Sequence, residues 1–357
     1  MSELVAGPHT RAPVSLPALM RQVLLAAVPA TAFGVWLYGW PALYLLVITL
    51  ASALAGEAVS LRAAGRPVRS GLSDGSALVA GWILAMSLPP WAPWWIGAIG
   101  GLLATVLGKG VFGGTGQNPF NPAMAARVAL LVAFPAAMTR WVAPAPLGTE
   151  QAPGLLASLR ITFLGGADWD AVTSATTLDA TRTAVTQGQD LQAVLPEAYE
   201  PALAALGYAA GSLAEGSALL LAAGGAYLIY QRVISWETPL VLLATLAVLA
   251  TGTHALDPQR YNDAGVHLLA GSTILAAFFI ATDPTTSPAT AAGRAVVAAG
   301  CAATIWIVRT YGGYPEATAF AVLLMNACTP LIDRWIRPRV YGRTRRGTPL
   351  PTGEENP

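Results

Sequence analysis

Residues 41–61 read PALYLLVITLASALAGEAVSL, an unbroken apolar stretch in which Glu57 is the one charged position. About 20 residues of this kind form a helix as long as the hydrocarbon core of a bilayer is thick. The rest of the chain has the same character. It is 54% hydrophobic and 11% charged, with a mean hydropathy of +0.54, whereas an ordinary soluble domain carries roughly a quarter charged residues. The expected fold class is therefore an all-α polytopic membrane protein. The 36 glycines and 27 prolines read as bundle residues, because small residues let helices approach closely and neighbours re-satisfy breaks.

Ten stretches qualify as spans, near residues 19–38, 41–61, 74–89, 93–110, 121–138, 211–231, 238–253, 265–281, 290–309 and 315–332. Several are short, and Leu88-Pro89-Pro90 and Asp283-Pro284 predict ends or breaks. Arg11, Arg21, Arg62, Arg66, Arg69, Lys109 and the cluster Arg334, Arg337, Arg339, Arg343, Arg345 and Arg346 fall on one side of such a ten-span arrangement. The positive-inside rule makes that side cytoplasmic, with both termini in it. Arg140 and Arg309 run against the rule. The long connection near 139–210 is then external and carries Asp168, Asp170, Asp179, Asp190, Glu197 and Glu200.

The halves echo each other. Phe112-Gly113-Gly114 precedes an apolar segment ending at Phe134-Pro135, and Tyr311-Gly312-Gly313 precedes one ending at Thr329-Pro330; Leu78-Val79-Ala80-Gly81 likewise echoes Leu268-Leu269-Ala270-Gly271. Five helices per half would invert the second copy, as in many transporters; chance recurrence of Gly-Gly and Leu/Ala runs is the alternative. The expected organisation is a cytoplasmic segment 1–18, a first membrane repeat 19–138, an external loop 139–210, a second membrane repeat 211–332 and a basic cytoplasmic tail 333–357.

Several classes drop out. A net charge of +1 without a basic stripe gives no footprint for nucleic acid. Cys301 and Cys328 lie in apolar stretches without a CxxC pattern, so an iron–sulfur or zinc centre cannot be built from this chain alone. His9, His254 and His267 are scattered, and no metal site is expected. The polar, proline-rich start has no cleavable signal pattern.

Two segments point to chemistry. The first runs Asp170-Ala171-Val172-Thr173-Ser174-Ala175-Thr176-Thr177-Leu178. It resembles the covalent-flavin acceptor pattern Asp-x-x-Ser/Thr-Gly/Ser-Ala-Thr, in which a flavin transferase links FMN through a phosphoester to the last threonine, here Thr176. The plain alternative is a helix start in which Thr176 and Asp179 form a capping box. The second segment is Lys109 to Ala123, containing Gly113, Gly114, Gly116, Gln117, Asn118 and Asn121. Its glycines let backbone approach a planar ligand, and its amides suit a flavin edge. A helix-breaking turn that uses those amides on freed backbone groups explains it equally well.

The Lys109–Ala123 segment is similar to the corresponding turn of the Rnf D subunit and of its relative, the B subunit of the sodium-pumping NADH:quinone oxidoreductase. Ser73-Asp74-Gly75-Ser76-Ala77-Leu78, Gly211-Ser212-Leu213-Ala214-Glu215-Gly216-Ser217 and Ala281-Thr282-Asp283-Pro284-Thr285-Thr286-Ser287-Pro288 extend the resemblance over nearly the whole chain. It implies a membrane subunit of an Rnf-type complex in the bacterial inner membrane. The subunit would carry covalent FMN on Thr176 and non-covalent riboflavin, and would relay electrons between ferredoxin and NAD with coupled Na+ or H+ transport. The implied partners are a second covalently flavinylated subunit, other membrane subunits, the flavin transferase and lipid. No residue of this chain is expected to be catalytic by itself, and the chain alone would be catalytically incomplete. Asp170, Thr173, Ser174 and Ala175 belong to the acceptor motif, Glu215 to its surroundings, and Gly113, Gly114, Gln117, Asn118 and Asn121 to the second flavin.

Glu57, Asp74, Lys109 and Asp283 fall near predicted cytoplasmic helix ends, where ionisable groups either pair or serve ion coupling. The competing functions are the quinone-reducing relative, a non-redox inverted-repeat transporter, and a scaffold that only holds redox partners.

Overall fold

The computed structural model describes residues 15–166, 172–215, 217–314 and 316–338. Among them all regular structure is helical. Helices α1 (Leu16–Tyr38) and α2 (Trp40–Ala63) meet at Gly39, whose positive φ of 77° turns the chain, and Pro41 sits in the first turn of α2, where its missing N–H is harmless. At 1.5 Å per residue each is roughly 35 Å long, enough to cross a bilayer. The chain continues through α3 (Val68–Leu72), α4 (Ser76–Met86), α5 (Trp94–Leu102, extended by a π-helical turn Leu103–Leu107), α6 (Pro122–Ala133) and α7 (Pro135–Met138). The long connection is itself helical, with α8 (Leu155–Leu164), α9 (Thr177–Thr186), α10 (Leu191–Ala198) and α11 (Pro201–Leu206). There follow α12 (Ala218–Tyr230), α13 (Glu237–Leu256), α14 (Ala264–Leu269), α15 (Thr273–Leu275, extended by a π-helical turn Ala276–Ile280), α16 (Ala291–Tyr311) and α17 (Thr318–Trp335).

Among the described residues five helices are long and apolar enough to span: Leu16–Tyr38, Trp40–Ala63, Trp94–Phe112, Glu237–Leu256 and Ala291–Tyr311. The expected tenth span is a continuous 18-residue helix, Thr318–Trp335, that is not among the five. The expected third, fifth, sixth and eighth spans instead contain short or broken helices. Their breaks follow the chemistry of the sequence. Helix α4 stops at Ser87, ahead of Pro89-Pro90. Its freed carbonyls are taken up by the stretch before α12: Leu213 N–H donates to Leu88 O (3.1 Å), and Ala214 N–H (3.0 Å) and Ser212 Oγ (2.9 Å) donate to Met86 O. Two irregular stretches thus satisfy each other inside the bundle, the condition on which non-helical backbone is tolerated at bilayer depth. Gly34 of α1 lies against this junction so closely that a Cβ would run into the Leu213 carbonyl.

The break between α14 and α15 is held by Arg309. Gly271 there has φ of 72°. Buried Arg309 donates from Nη1 to His267 O (2.8 Å) and from Nη2 to Ala270 O (3.3 Å), and pairs with Glu316 at 3.4 Å. An arginine that the loop-charge rule left unexplained therefore serves as a side-chain cap for orphaned carbonyls.

Helix packing places the long connection at one end of the bundle, called here the loop end. Ala145 N–H and Leu147 N–H donate to Leu37 O (3.0 Å) and Trp36 O (2.8 Å), Tyr38 Oη donates to Ala209 O (2.9 Å), and Leu191 N–H donates to Gln259 O (3.0 Å). The turns 64–75, 108–121 and 281–290 lie at the opposite end.

Candidate functional site

At the loop end, the acceptor segment is pinned by backbone pairing across the connection. Ala143 N–H donates to Val172 O (3.2 Å), and Ser174 N–H donates to Trp141 O (3.1 Å). Thr173 lies in the bridge opposite Val142. Thr176 then starts α9 as its N-cap: its Oγ1 accepts from Asp179 N–H (3.1 Å) and donates to Asp179 Oδ2 (2.9 Å). The anticipated capping arrangement is thus present. It also holds the Thr176 hydroxyl at a helix N-terminus, where backbone N–H groups and the helix dipole favour a negative group. Burial pushes the Asp179 carboxyl above the usual carboxylate range, against the hydrogen bonds from Thr176 and the charge of Arg182, which act to lower it. Asp170 lies outside the described residues. Ser174 is half-buried, while Thr173 and Ala175 are exposed.

Thr176 lines a small pocket with Trp141, Leu178, Gly211, Glu215, Gly271 and Glu316. The resemblance put Glu215 in the surroundings of the acceptor motif, and the fold brings Thr176 and Glu215 to one pocket. Glu215 Oε2 accepts from Ser212 N–H (3.1 Å), Oε1 lies 3.8 Å from Arg127 Nη1, and Oε1 has no hydrogen-bond partner although buried. Glu316 accepts from Ser272 N–H (2.9 Å) and from Thr318 N–H (3.2 Å) and Oγ1 (2.5 Å). Each carboxylate of the lining pairs with an arginine outside it, Glu215 with Arg127 and Glu316 with Arg309. The sequence reading did not assign Arg127 or Glu316. A lone arginine inside the apolar run Pro122–Ala133 was the available signal, since buried intramembrane charges call for partners. The pocket measures about 40 Å³, the room of one or two waters. An isoalloxazine ring attached at Thr176 would lie over its mouth or part its walls.

At the opposite end the second candidate cluster is divided. Asn118 and Asn121 are buried and line a cavity of about 110 Å³ together with Ser76, Lys109, Thr115, Asp283 and Thr285. Gly113, Gly114 and Gln117 lie outside that lining; Gly113 (φ 106°) and Gly114 (φ 104°) form the turn, and Arg66 Nη1 donates to Gly113 O (2.7 Å). The asparagine amides already serve the protein. Asn118 Nδ2 donates to Phe120 O (3.0 Å) and Thr285 Oγ1 (3.2 Å). Asn121 Oδ1 caps α6 through Met124 N–H (3.2 Å), its N–H donates to Asn326 Oδ1 (3.0 Å), and its Nδ2 faces Asp283 Oδ2 (3.4 Å). Lys109 Nζ is buried between Glu57 Oε1 (2.9 Å) and Ser76 Oγ (2.6 Å). Asp74 and Asp283 cap their own turns, accepting from Ser76 N–H (2.7 Å) and Thr285 N–H (3.0 Å) respectively. Among the described residues no group of His, Cys, Asp and Glu is placed to hold a metal ion.

Comparison with known proteins gives consistent matches. The family described as NQR2, RnfD, RnfE matches residues 3–342. A protein of Halorhodospira halophila, named as the D subunit of an ion-translocating oxidoreductase complex, is 80% identical over 357 residues, covering all of both chains. Proteins with the same name from Stutzerimonas stutzeri and Rhodobacter capsulatus are 52% and 44% identical. The former match covers 94% of this chain and 95% of its relative, and the latter 85% and 84%.

Proposed function

The chain belongs to the NQR2, RnfD, RnfE family, as a D-type membrane subunit of an ion-translocating oxidoreductase complex, and from that premise we propose that it carries electrons through a flavin held on Thr176. The single observation that carries this reading is the placement of Thr176. Its hydroxyl caps α9 at the rim of a pocket floored by Glu215 and Glu316. A phosphate carried on this oxygen would sit beside the positive helix end, and Asp179, whose backbone N–H donates to the hydroxyl oxygen (3.1 Å), would hold that oxygen in place. The residues present fit the group: the hydroxyl is half-buried, and Glu215 Oε1 is a buried acceptor awaiting a donor. A bound flavin supplies one-electron transfer; the chain fixes its attachment point and surrounds it with buried charge.

The loop end faces the periplasm in this reading, with both termini cytoplasmic and the chain in the inner membrane. The partners are the flavin transferase, a second flavinylated subunit and the other membrane subunits. The complex links ferredoxin and NAD to Na+ or H+ transport.

The two halves form inverted repeats in the same proposal. Gly75-Ser76 (Gly75 φ 78°) and Gly271-Ser272 (Gly271 φ 72°) each precede a short helical segment. Each turn is tied to a cation, Lys109 or Arg309, which pairs with Glu57 or Glu316. The two devices lie at opposite ends of the bundle. They make Gly75 the counterpart of Gly271, in place of Gly81, which packs mid-helix against Ala53.

A second flavin, riboflavin, belongs in the cavity between α1, α4, α6, α12 and the turn at Asp283, supported by its apolar wall of Val79, Ile83 and Phe279 facing Ser76, Lys109 and Thr285. Its volume is below the roughly 300 Å³ of ligand pockets, so binding must part these walls.

In-gel flavin fluorescence of the denatured chain tests the attachment. Wild type is expected to fluoresce, with Thr176→Ala and protein from a host lacking the transferase dark. A signal surviving in Thr176→Ala removes Thr176 as the attachment point. Flavin released on denaturing Thr176→Ala protein reports the non-covalent site; none released removes the second flavin.

A further inference from the structure

A different cavity at the loop end, about 160 Å³ in volume, lies between α9, the 257–263 turn and the end of α16. Arg182, Arg260 and Arg309 line it, and no carboxylate does. Glu316 pairs with Arg309 from outside the lining. Among the described residues Arg182 and Arg260 form no ion pair within 4 Å, and Arg182 reaches a carboxylate only at longer range, that of Asp179 outside the lining. Arg182 is anchored by Nη2 to Gly312 O, and its Nη1 has no partner. Three other buried atoms of the lining are equally unpartnered: Nε of Arg309, Nδ1 of His267 and Oδ1 of Asn262. Arg309 and His267 are both more than nine-tenths buried. Unpartnered buried polar atoms are rare and costly. Four around one cavity mark a ligand site.

We infer that this cavity binds the phosphate group of a phospholipid. Guanidinium groups match phosphate oxygens in geometry and charge. The Asn262 carbonyl requires a donor as well, which the hydroxyls of a glycerol headgroup supply. The surroundings favour a lipid over a free anion. Helices α13 and α16 run in parallel towards the cavity, and their outer faces are apolar: Val248 and Leu256 are 71% and 84% exposed, and Ile307 50%. Tyr311, at the cavity rim, lies edge-on to Trp306 and 3.4 Å from the Tyr261 hydroxyl, the kind of aromatic pair that marks the bilayer interface. Acyl chains would lie on α13 and α16 with the phosphate at Arg182. The site does not depend on a flavin at Thr176.

The test uses the purified full-length chain in neutral detergent, read by native mass spectrometry and thermal unfolding. The probes are phosphatidylglycerol, phosphatidylcholine, and inorganic phosphate against chloride at matched ionic strength. Wild type is expected to retain phosphatidylglycerol over phosphatidylcholine and to unfold at higher temperature with it. Arg182→Gln and Arg260→Gln should each weaken retention roughly tenfold, the loss of one charge-assisted contact. Arg260 is exposed, so its variant folds, and circular dichroism confirms helix content for both. Equal stabilisation by inorganic phosphate and phosphatidylglycerol, abolished in both variants, retains the phosphate site and makes the free anion its occupant. Phosphatidylglycerol retention unchanged in both variants, or no response to either phosphate source, overturns the proposal.

Discussion

At the residue scale, a few positions decide whether the site keeps its shape. Asp179 is one. Burial raises its carboxyl pKa above the free value, penalising the charged form in the fold. Its contribution to stability is fully present below about pH 4, the unfolded carboxyl's value, and is lost as pH rises through the raised value. Asp179→Asn keeps the backbone N–H that caps onto Thr176 and removes this loss. Thermal unfolding of the variant should therefore vary less with pH above pH ~4 than wild type; an identical profile would show that Asp179 does not titrate in the fold. Gly34 is another such position. A Cβ there meets the Leu213 carbonyl, backbone that also holds the end of α4, so Gly34→Ala should cost about 1–3 kcal/mol, as overpacking does. The control is Gly252, in α13, where an added Cβ meets nothing within 4 Å. Gly252→Ala should be neutral or stabilise by up to about 1 kcal/mol. Equal unfolding temperatures for the two variants would refute the close approach at Gly34.

At the element scale, the short helices are stable because something outside each one closes its ends. Helix α14 has six residues, too few to persist alone, since isolated helices shorter than roughly 12–15 residues are marginal even in water. Asp263 caps its start through Val266 N–H (2.8 Å), and Arg309 receives the carbonyls at its end. Arg309→Met would leave His267 O, Ala270 O and the Glu316 carboxylate short of a donor. The expected destabilisation is roughly 3–5 kcal/mol, typical of breaking a buried pair, with Arg309→Lys intermediate because an ammonium lacks the guanidinium fork. Adding Glu316→Gln to Arg309→Met should recover part of the loss, the signature of coupled groups. Thermal unfolding of wild type, Arg309→Met, Glu316→Gln and the double variant closes the cycle, and strictly additive effects would dismiss the pairing. The acceptor segment follows the same logic, because pairing with residues 141–143 and the cap at Thr176 fix a stretch that has little regular structure of its own.

At the scale of the whole molecule, the proposed orientation makes the two ends of the bundle chemically distinct. With Cys301 and Cys328 replaced by alanine, a single cysteine at exposed Gln187 should react with a membrane-impermeant maleimide on intact cells. One at exposed Ser70 should react only after lysis. Labelling of both from the same side would sink the topology. Composition alone determined that the chain lives in a bilayer, because apolar runs such as 41–61 have no other low-energy environment. The sequence also marked Thr176, Glu57 and Lys109 through local pattern, and the Thr176–Asp179 cap follows from three-residue spacing. It left open which of the ten stretches are continuous helices. A break survives at bilayer depth only if a distant segment supplies its hydrogen bonds, as Ser212–Ala214 do for Met86 and Leu88. Likewise, the roles of Arg127, Arg309 and Glu316 are set by partners that are not their sequence neighbours, or by a turn that brings them together. Burying charge in low dielectric is tolerable only when such partners arrive. Only the tertiary structure, which brings 176, 215, 271 and 316 to one pocket, decided where they would meet.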